Sequence, residues 1–248
     1  AVYEENDDCL FVEYQPIYSF KTNSISGFEA LARFKNDNLG IISPAEFIPI
    51  AESSQLILPL GEKIMRHVFG FAQRLSSAGY GAASVSFNIS AIQLLNDVFL
   101  DDLENLIQST KADPRNLILE ITESVFSDNY KEINEKINII RKLGMRISID
   151  DFGTGYSSLA RERELNINFL KVDKYFIDSL LSENSSKSIT CDIISMAHKL
   201  GHDVIAEGVE HEIQKEYLCR NNCDMIQGYL ISKPLDEDGA IEVLHNNE

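Results

Sequence analysis

The sequence has no tryptophan and is low in proline, cysteine and basic side chains, with six prolines and four cysteines among 248 residues. No apolar run approaches the roughly 18 residues that a membrane helix requires, and no secretory signal is recognisable. The 22 Lys and Arg against 39 Asp and Glu give a formal charge of −17, which repels DNA, RNA and anionic lipid. We therefore expect no nucleic-acid polymer as partner, no membrane contact by this domain and a cytoplasmic location, although a parent protein could be anchored in the inner membrane.

The cysteines do not form a recognisable structural zinc site. They are Cys9, Cys191, Cys219 and Cys223. The last two could share a metal, but no cluster of Cys or His completes four ligands, so we expect free thiols in a reducing compartment. The five histidines fall in or beside helical patterns, where surface or packing roles are expected.

Length and patterning favour one α/β domain, a single (β/α)8 TIM-type barrel, for which about 250 residues is typical. Short β-rich runs alternate with longer amphipathic stretches, and no Gly/Ser linker divides them. Eight candidate strands lie at residues 11–19, 26–34, 83–89, 117–122, 146–151, 169–173, 203–208 and 225–231. Helical spacing occurs at residues 44–53, 59–78, 94–110, 129–143, 186–200 and 210–221. The chain begins with Ala, so residues 1–248 could be a domain excised from a longer multidomain protein.

Polar side chains end most of the candidate strands. They are Asn88, Glu120, Asp150, Asp151, Asp173, Glu207 and Gln227. One acid at a strand end is also typical of a helix cap, so the recurrence is the informative feature. In a (β/α)8 barrel these ends meet at the active-site face, and several adjacent carboxylates repel one another unless cations neutralise them. Carboxylate and amide oxygens without histidine favour Mg²⁺ or Mn²⁺ over Zn²⁺.

Several short blocks follow one another in a recognisable order. They are Tyr14-Gln15-Pro16-Ile17, Glu29-Ala30-Leu31-Ala32-Arg33, Phe87-Asn88-Ile89-Ser90, Leu119-Glu120-Ile121-Thr122-Glu123, Asp150-Asp151-Phe152-Gly153-Thr154-Gly155-Tyr156-Ser157-Ser158-Leu159, Leu170-Lys171-Val172-Asp173, Ala206-Glu207-Gly208-Val209-Glu210 and Gln227-Gly228-Tyr229. This series, within residues 11–235, resembles the motifs of EAL-domain cyclic di-GMP phosphodiesterases. The resemblance implies a barrel whose first strand runs antiparallel to the rest. It also implies hydrolysis of cyclic di-GMP to linear 5'-pGpG by a two-metal mechanism, which ends a bacterial second-messenger signal.

The resemblance further implies roles for individual residues. The implied ligands of two Mg²⁺ or Mn²⁺ ions are Glu29, Asn88, Glu120, Asp150, Asp151 and Glu207, with Asp150 shared. The implied catalytic residues are Lys171, Glu207, Glu210 and Glu123. The implied substrate-binding residues are Gln15, Leu31, Arg33, Asp173, Gln227, Gly228 and Tyr229.

Two of these assignments have explicit alternatives. Arg33 resembles the arginine that grips a substrate phosphate, a task suited to a planar and permanently charged group, and a salt bridge to a nearby acid is the alternative. Glu123 resembles the residue that anchors the glycine-containing loop at 151–158, through Ser157. The two glycines of that loop could instead serve only to permit positive φ in a tight turn.

The chain departs from the family pattern after that loop. Residues 161–164 are charged, and Asn166 and Asn168 stand where proline and aspartate are common. This departure puts in doubt the homodimer surface that the resemblance implies. The alternative is that the charged residues belong to a solvent-exposed helix with pairs of opposite charge. Sensory or GGDEF domains in a parent protein are further implied partners. Two other functions remain as alternatives. The first is a catalytically inactive domain that binds cyclic di-GMP or a protein partner. The second is an unrelated barrel enzyme that forms a metal-bound enolate.

Overall fold

A computed structural model describes residues 9–126, 129–153, 165–181 and 189–247, and its strands form a closed ring. The strands are β1 Leu10–Ser19, β2 Ser24–Asn36, β3 Gly40–Ile42, β4 Ser84–Asn88, β5 Leu117–Thr122, β6 Arg146–Phe152, β7 Phe169–Val172, β8 Asp203–Ala206 and β9 Met225–Gln227. The order is β1-β9-β8-β7-β6-β5-β4-β2, and pairing of β1 with β2 closes the barrel. Strand β3 forms a hairpin on the end of β2, outside the ring. The eight-stranded barrel predicted from the sequence is confirmed.

The first strand runs against the others. Strand β1 pairs antiparallel with both β2 and β9, whereas each neighbouring pair from β2 through β9 around the ring is parallel. The antiparallel β1 implied by the family resemblance is therefore confirmed. Leu10 pairs with Phe34 near the carboxyl end of β2, so the amino-terminal half of β1 lies at the face where the other strands end.

Helices cover the outside of the barrel. Those in the described ranges are α1 Pro44–Ser53, α2 Ile57–Ser77, α3 Ala91–Leu95, α4 Phe99–Thr110, α5 Tyr130–Lys142, α6 Lys174–Asp178, α7 Thr190–Leu200, α8 Glu212–Arg220 and α9 Glu237–Asn246. Helix α2 shows why they pack there, because Met65, Phe69 and Ala72 recur at helical spacing on its buried side. None of these helices combines the length and apolarity of a bilayer span.

Strand alternation separates an apolar core from a polar interior. On β5, Leu119 and Ile121 belong to the core between barrel and helices, while Glu120 points the other way. Two residues earlier on the same face, Ile118 joins an apolar cluster inside the barrel. That cluster contains Ile17, Ile118, Phe169 and Ile205, with Met225 against it. On β5, β7, β8 and β9, the polar residue two positions after the cluster residue therefore lies on the carboxyl-end side of this apolar cluster, and on the antiparallel β1 the corresponding residue is Gln15, two positions before Ile17.

Some element boundaries differ from the sequence predictions. The prediction of a single helix at 94–110 is wrong, because this segment contains two separate helices, α3 and α4. A reciprocal capping box between Ser90 and Gln93 starts α3. The strand predicted at 225–231 ends at Gln227, since the backbone at Gly228 packs directly against Val209. Strand β3 and helices α6 and α9 were not predicted. Helices α5 and α7 end before Gly144 and Gly201 as expected, and both glycines have positive φ.

Candidate active site

Acidic side chains on three strands, and one directly after a fourth, meet at the carboxyl-end face of the barrel. Glu29, Glu120 and Asp150 form one group, and Asp150, Asp151 and Glu207 form a second. Within each group, one carboxylate oxygen from each residue lies within 4.8 Å of the corresponding oxygens of the other two. The structure thus brings together five of the six residues predicted as metal ligands, and it makes Asp150 common to both groups.

The ammonium of Lys171, on β7, lies among these acids. Its Nζ is 2.7 Å from Glu120 and 2.6 Å from Glu207, and it is 3.3 Å from Glu29 and 3.4 Å from Asp150. The Lys171 side chain has no exposed surface. One ammonium among four carboxylates leaves an excess of three negative charges when all are ionised.

This excess charge and the burial shift the ionisation of the site. Burial raises the pKa of Glu120 to about 8, with Glu29 and Asp150 adding to the rise and Lys171 opposing it. Burial likewise raises the pKa of Glu207 well above its usual range. Burial by itself would lower the pKa of Lys171, but the surrounding carboxylates raise that pKa well above its ordinary value, so the ammonium stays charged.

Amide side chains connect the acids to the barrel wall. Asn88, at the end of β4, donates to Glu29 at 2.9 Å. The Gln227 amide donates to Glu29 at 2.6 Å and to Gln15 at 3.1 Å, and Gln15 donates to the Ser232 carbonyl. These contacts fix the carboxylate of Glu29 from two sides and place Asn88, the sixth predicted ligand, beside it.

The donor atoms at this site suit a hard divalent cation. All are carboxylate or amide oxygens, and no histidine in the described ranges belongs to either acidic group. Glu120 Oε1 and Gln227 Oε1 are buried and accept no hydrogen bond from the described part of the chain. Buried oxygens without donors carry a large desolvation cost that a cation would offset. The residues therefore fit such an ion.

Two hydrogen bonds hold the backbone at the end of β6 and in the turn that follows it. Asp151 has a φ of 54°, and its backbone N–H donates to Asp150 Oδ1 at 2.9 Å. The buried Glu123 accepts a hydrogen bond from the backbone N–H of Gly153 at 3.0 Å. This is the kind of anchor predicted for Glu123, although its predicted partner Ser157 and the charged stretch 161–164 lie outside the described residues.

Two cavities open beside the acids. The larger, of about 680 Å³, is bounded by Asn88, Asp150 and Asp151 on one side and by Leu31 and Arg33 on another. Part of its lining is an apolar wall that includes Pro44, Ala45, Ile48, Pro49, Ile57, Ile64 and Met65, and Glu52 of α1 also lines the cavity. The smaller cavity, of about 380 Å³, is lined by Gln15, Glu29, Leu31, Lys174, Glu207, Gly208, Glu210, Gln227, Gly228 and Tyr229. Six of the seven predicted substrate-binding residues thus line one or both cavities.

The remaining predicted residues show specific contacts. Asp173 accepts from the Tyr175 backbone N–H and caps α6. Glu210 pairs with Lys174 at 2.9 Å. Tyr229 is 59% exposed at the cavity rim.

Arg33 forms a salt bridge with Glu13. A salt bridge to a nearby acid was the alternative to phosphate binding for this arginine. Glu13, Lys174 and the apolar wall were not predicted from the sequence. Of these, Glu13 alone carried a signal in the sequence, because it lies two residues before Gln15 and therefore on the same face of the strand. Use of that signal requires the direction of the strand to be known first.

An α/β barrel with overlapping groups of acids at its strand ends defines a class of barrel proteins able to hold metal ions at the substrate-binding face. The chain belongs to the EAL domain family, whose model matches residues 4–234.

The chain resembles several named members of this family. It is 38% identical over 229 residues to the signaling protein YkoW of Bacillus subtilis, covering 92% of this chain and 28% of YkoW. It is 33% identical over 231 residues to the probable cyclic di-GMP phosphodiesterase PdeG of Escherichia coli, covering 93% of this chain and 46% of PdeG. The chain therefore spans less than half the length of both relatives. The structure of the PaMucR phosphodiesterase in complex with c-di-GMP superposes with a TM-score of 0.90 at 32% identity over 94% of each chain.

Proposed function

We propose that this chain is a metal-dependent phosphodiesterase domain that hydrolyses cyclic di-GMP to linear 5'-pGpG. The observation that carries the proposal is the pair of acidic groups sharing Asp150, set beside a cavity that Arg33 lines. The relative named as the probable cyclic di-GMP phosphodiesterase PdeG and the PaMucR complex with c-di-GMP support the choice of substrate.

The metal ligands are assigned from the two acidic groups and from Asn88, which donates a hydrogen bond to Glu29. Glu29, Asn88, Glu120 and Asp150 would hold one Mg²⁺ or Mn²⁺, and Asp150, Asp151 and Glu207 would hold a second. When bound, such ions polarise phosphoryl oxygens and lower the pKa of a water molecule. Neutralisation of the excess negative charge also allows an anionic substrate to approach an acidic protein.

The protein's own groups orient the reaction. Lys171 stays protonated among the acids, so it can donate a hydrogen bond to the attacking water while it holds Glu120 and Glu207 in place. Arg33 binds a substrate phosphate through its guanidinium. The nucleotide is positioned by the other substrate-binding residues, which are Gln15, Leu31, Asp173, Gln227, Gly228 and Tyr229. The loops beside the metal ligands are supported by Glu210 and Glu123.

A comparison of matched variants tests the proposal. Purified protein with Mg²⁺ or Mn²⁺ is expected to convert cyclic di-GMP to 5'-pGpG, detected by chromatography. Glu29→Gln should lower turnover at least about 100-fold, since it removes a charge where ions bind, whereas Glu104→Gln on the exposed side of α4 should not. Tight binding by the wild type without turnover would instead indicate a receptor. If folded protein showed no binding and no turnover of cyclic di-GMP, the assigned substrate would be refuted.

We also propose that the domain forms a homodimer, acts in the cytoplasm and is regulated by sensory or GGDEF domains in a parent protein. The bifunctional diguanylate cyclase/cyclic di-GMP phosphodiesterase MucR of Pseudomonas aeruginosa is an example of a relative with two activities. Sedimentation velocity with and without cyclic di-GMP tests the dimer. A single monomeric species in both conditions would contradict it.

A further inference from the structure

Arg33, on β2, is held by a carboxylate from β1. Its Nε donates to Glu13 Oε2 at 2.8 Å, and its Nη1 donates to the Ala32 carbonyl at 3.1 Å. The pair is partly shielded, with 18% of the Arg33 side chain and 32% of the Glu13 side chain exposed. Neither contact comes from the acids that form the metal-ligand groups.

The direction of β1 creates this contact. Glu13 pairs with Leu31 and Phe11 pairs with Arg33 in the antiparallel ladder, so Glu13 and Arg33 are diagonal neighbours on one face. Diagonal neighbours lie about 7 to 8 Å apart at their backbones, within reach of two long side chains. In an all-parallel barrel, a residue in the first half of β1 would lie at the opposite end from the substrate face. The antiparallel strand therefore delivers a side chain to the site that a parallel strand could not.

The contact leaves most of the guanidinium available. A guanidinium has five N–H donors, and the described contacts use one on Nε and one on Nη1, which leaves three, including both on Nη2. A carboxylate competing for a phosphate site would take two adjacent nitrogens in a bidentate pair. Here a single nitrogen is taken, and Arg33 still lines the 680 Å³ cavity beside Asn88 and Asp150.

We propose that Glu13 is a positioning residue that orients the Arg33 guanidinium toward a substrate phosphate. The inference rests on the proposed function, since it gives the phosphate-binding arginine a fixed direction. Glu13 acts on substrate only through Arg33. A side chain ordered before binding loses less rotational freedom when substrate arrives, so the effect belongs in substrate affinity more than in the chemical step.

Two variants separate orientation from charge. Glu13→Ala should raise KM for cyclic di-GMP about threefold to tenfold while kcat changes less than about twofold, because the arginine must be ordered on binding. Glu13→Gln should stay near the wild type, since its amide oxygen still accepts from Nε. Glu62→Ala, which breaks the exposed Arg66–Glu62 pair on α2, is the control and should leave KM unchanged.

A double-mutant cycle shows whether the effect passes through Arg33. In an Arg33→Ala background, Glu13→Ala should have no further effect on KM. An unchanged KM in the single Glu13→Ala variant would overturn the inference. So would a lower KM in both Glu13→Ala and Glu13→Gln, because that pattern means Glu13 competes with phosphate. An equal rise in KM in the Arg33→Ala background would mean that Glu13 acts elsewhere.

A measurement without substrate keeps this test apart from that of the proposed function. The proposed function would be refuted if the wild-type protein did not hydrolyse cyclic di-GMP. The orientation of Arg33 is measured separately, from the Nε–H resonance of its side chain in ¹⁵N NMR spectra. That resonance is assigned by its absence in the Arg33→Lys variant. We expect a resolved, slowly exchanging signal in the wild type and in Glu13→Gln, and its loss in Glu13→Ala. Persistence of the signal in Glu13→Ala would overturn the inference.

Discussion

Lys171 and Glu120 form an ion pair in which neither side chain is exposed to solvent, with Lys171 Nζ 2.7 Å from Glu120 Oε2. Burial of two charges is costly unless further partners compensate, and Lys171 has three further acids around it. The lysine therefore acts as a permanent cation within the acidic site. It neutralises part of the acidic charge and leaves an excess of negative charge that the proposed metal ions would neutralise.

Replacement of this lysine should damage both stability and activity. Lys171→Met keeps most of the side-chain volume but leaves the carboxylates without their internal counter-charge, and loss of one partner of a buried pair costs about 3 to 5 kcal/mol. We expect a lower free energy of unfolding in denaturant titrations and turnover reduced at least about 100-fold, since a group held at the reacting water is lost. Lys142→Met, at the exposed end of α5, serves as the control. Normal turnover by Lys171→Met would show that the ammonium has no part in the reaction.

Removal of the shared acid should have opposite effects on stability and activity. Asp150 adds to the raised pKa values of Glu120, Glu207 and Asp151, so it repels three acids while it attracts one ammonium, that of Lys171 at 3.4 Å, and the repulsion is in excess. In ion-free protein, Asp150→Asn should therefore raise Tm, by about 2 to 4 °C for each kcal/mol of repulsion relieved. Turnover should be lost, and Mn²⁺ should no longer raise Tm. Asp37→Asn, on the exposed hairpin, controls for a general effect of charge. Retained stabilisation by Mn²⁺ in Asp150→Asn would contradict the sharing of this ligand.

The stability of ion-free protein should fall as pH rises. Burial raises the pKa of Glu120 from its ordinary value of 4.5 to about 8 in the folded state, so between these values the folded protein binds more protons than the unfolded chain. Stability then decreases with pH across that window, because ∂ΔG/∂pH follows the difference in bound protons. We expect Tm measured in EDTA to fall from pH 5 to pH 8 more steeply in the wild type than in Glu120→Gln. Saturating Mn²⁺ should reduce the fall, since the ion replaces the proton. Equal slopes for the two proteins would rule out Glu120 as the titrating group.

The parts of this site that are local in sequence were predictable, and the parts that depend on pairing were not. The positions of Glu120, Asp150 and Glu207 near the carboxyl ends of their strands follow from apolar runs that stop at an acid, and the two-residue spacing of Ile118 and Glu120 puts both on the same face of β5. The direction of β1 came only from the family resemblance, because a strand has the same residue pattern in either direction. The pairing of Glu13 with Arg33 depends on that direction and on the register of two strands, so it became visible only in the fold.

Glu123 should act through the backbone that it anchors. Its carboxylate accepts from the Gly153 N–H at 3.0 Å, directly after the strand that carries Asp150 and Asp151. Glu123→Ala should lower kcat at least about tenfold, because misplacement of catalytic groups by about 1 Å is costly. Glu123→Gln should retain more activity, since its amide oxygen can still accept the bond. Equal loss in both variants would show that the negative charge, rather than the anchor, is what matters.

Gly228 tests whether the backbone beside Glu207 must stay in place. A Cβ at this position would lie 2.1 Å from the Val209 carbonyl oxygen and 2.3 Å from the Val209 nitrogen, so Gly228→Ala must displace the loop that follows β8. That loop carries Glu207 and Glu210, and we expect lower Tm, reduced stabilisation by Mn²⁺ and turnover at least about tenfold lower. Gly70→Ala is the matched control, because Gly70 lies on the exposed side of α2 with nothing within 4 Å of a Cβ. The control should gain about 0.5 to 1 kcal/mol from its better helix propensity and keep full activity. If Gly228→Ala matched the wild type in both Mn²⁺ response and turnover, the position of this loop would not limit the assembly of the site.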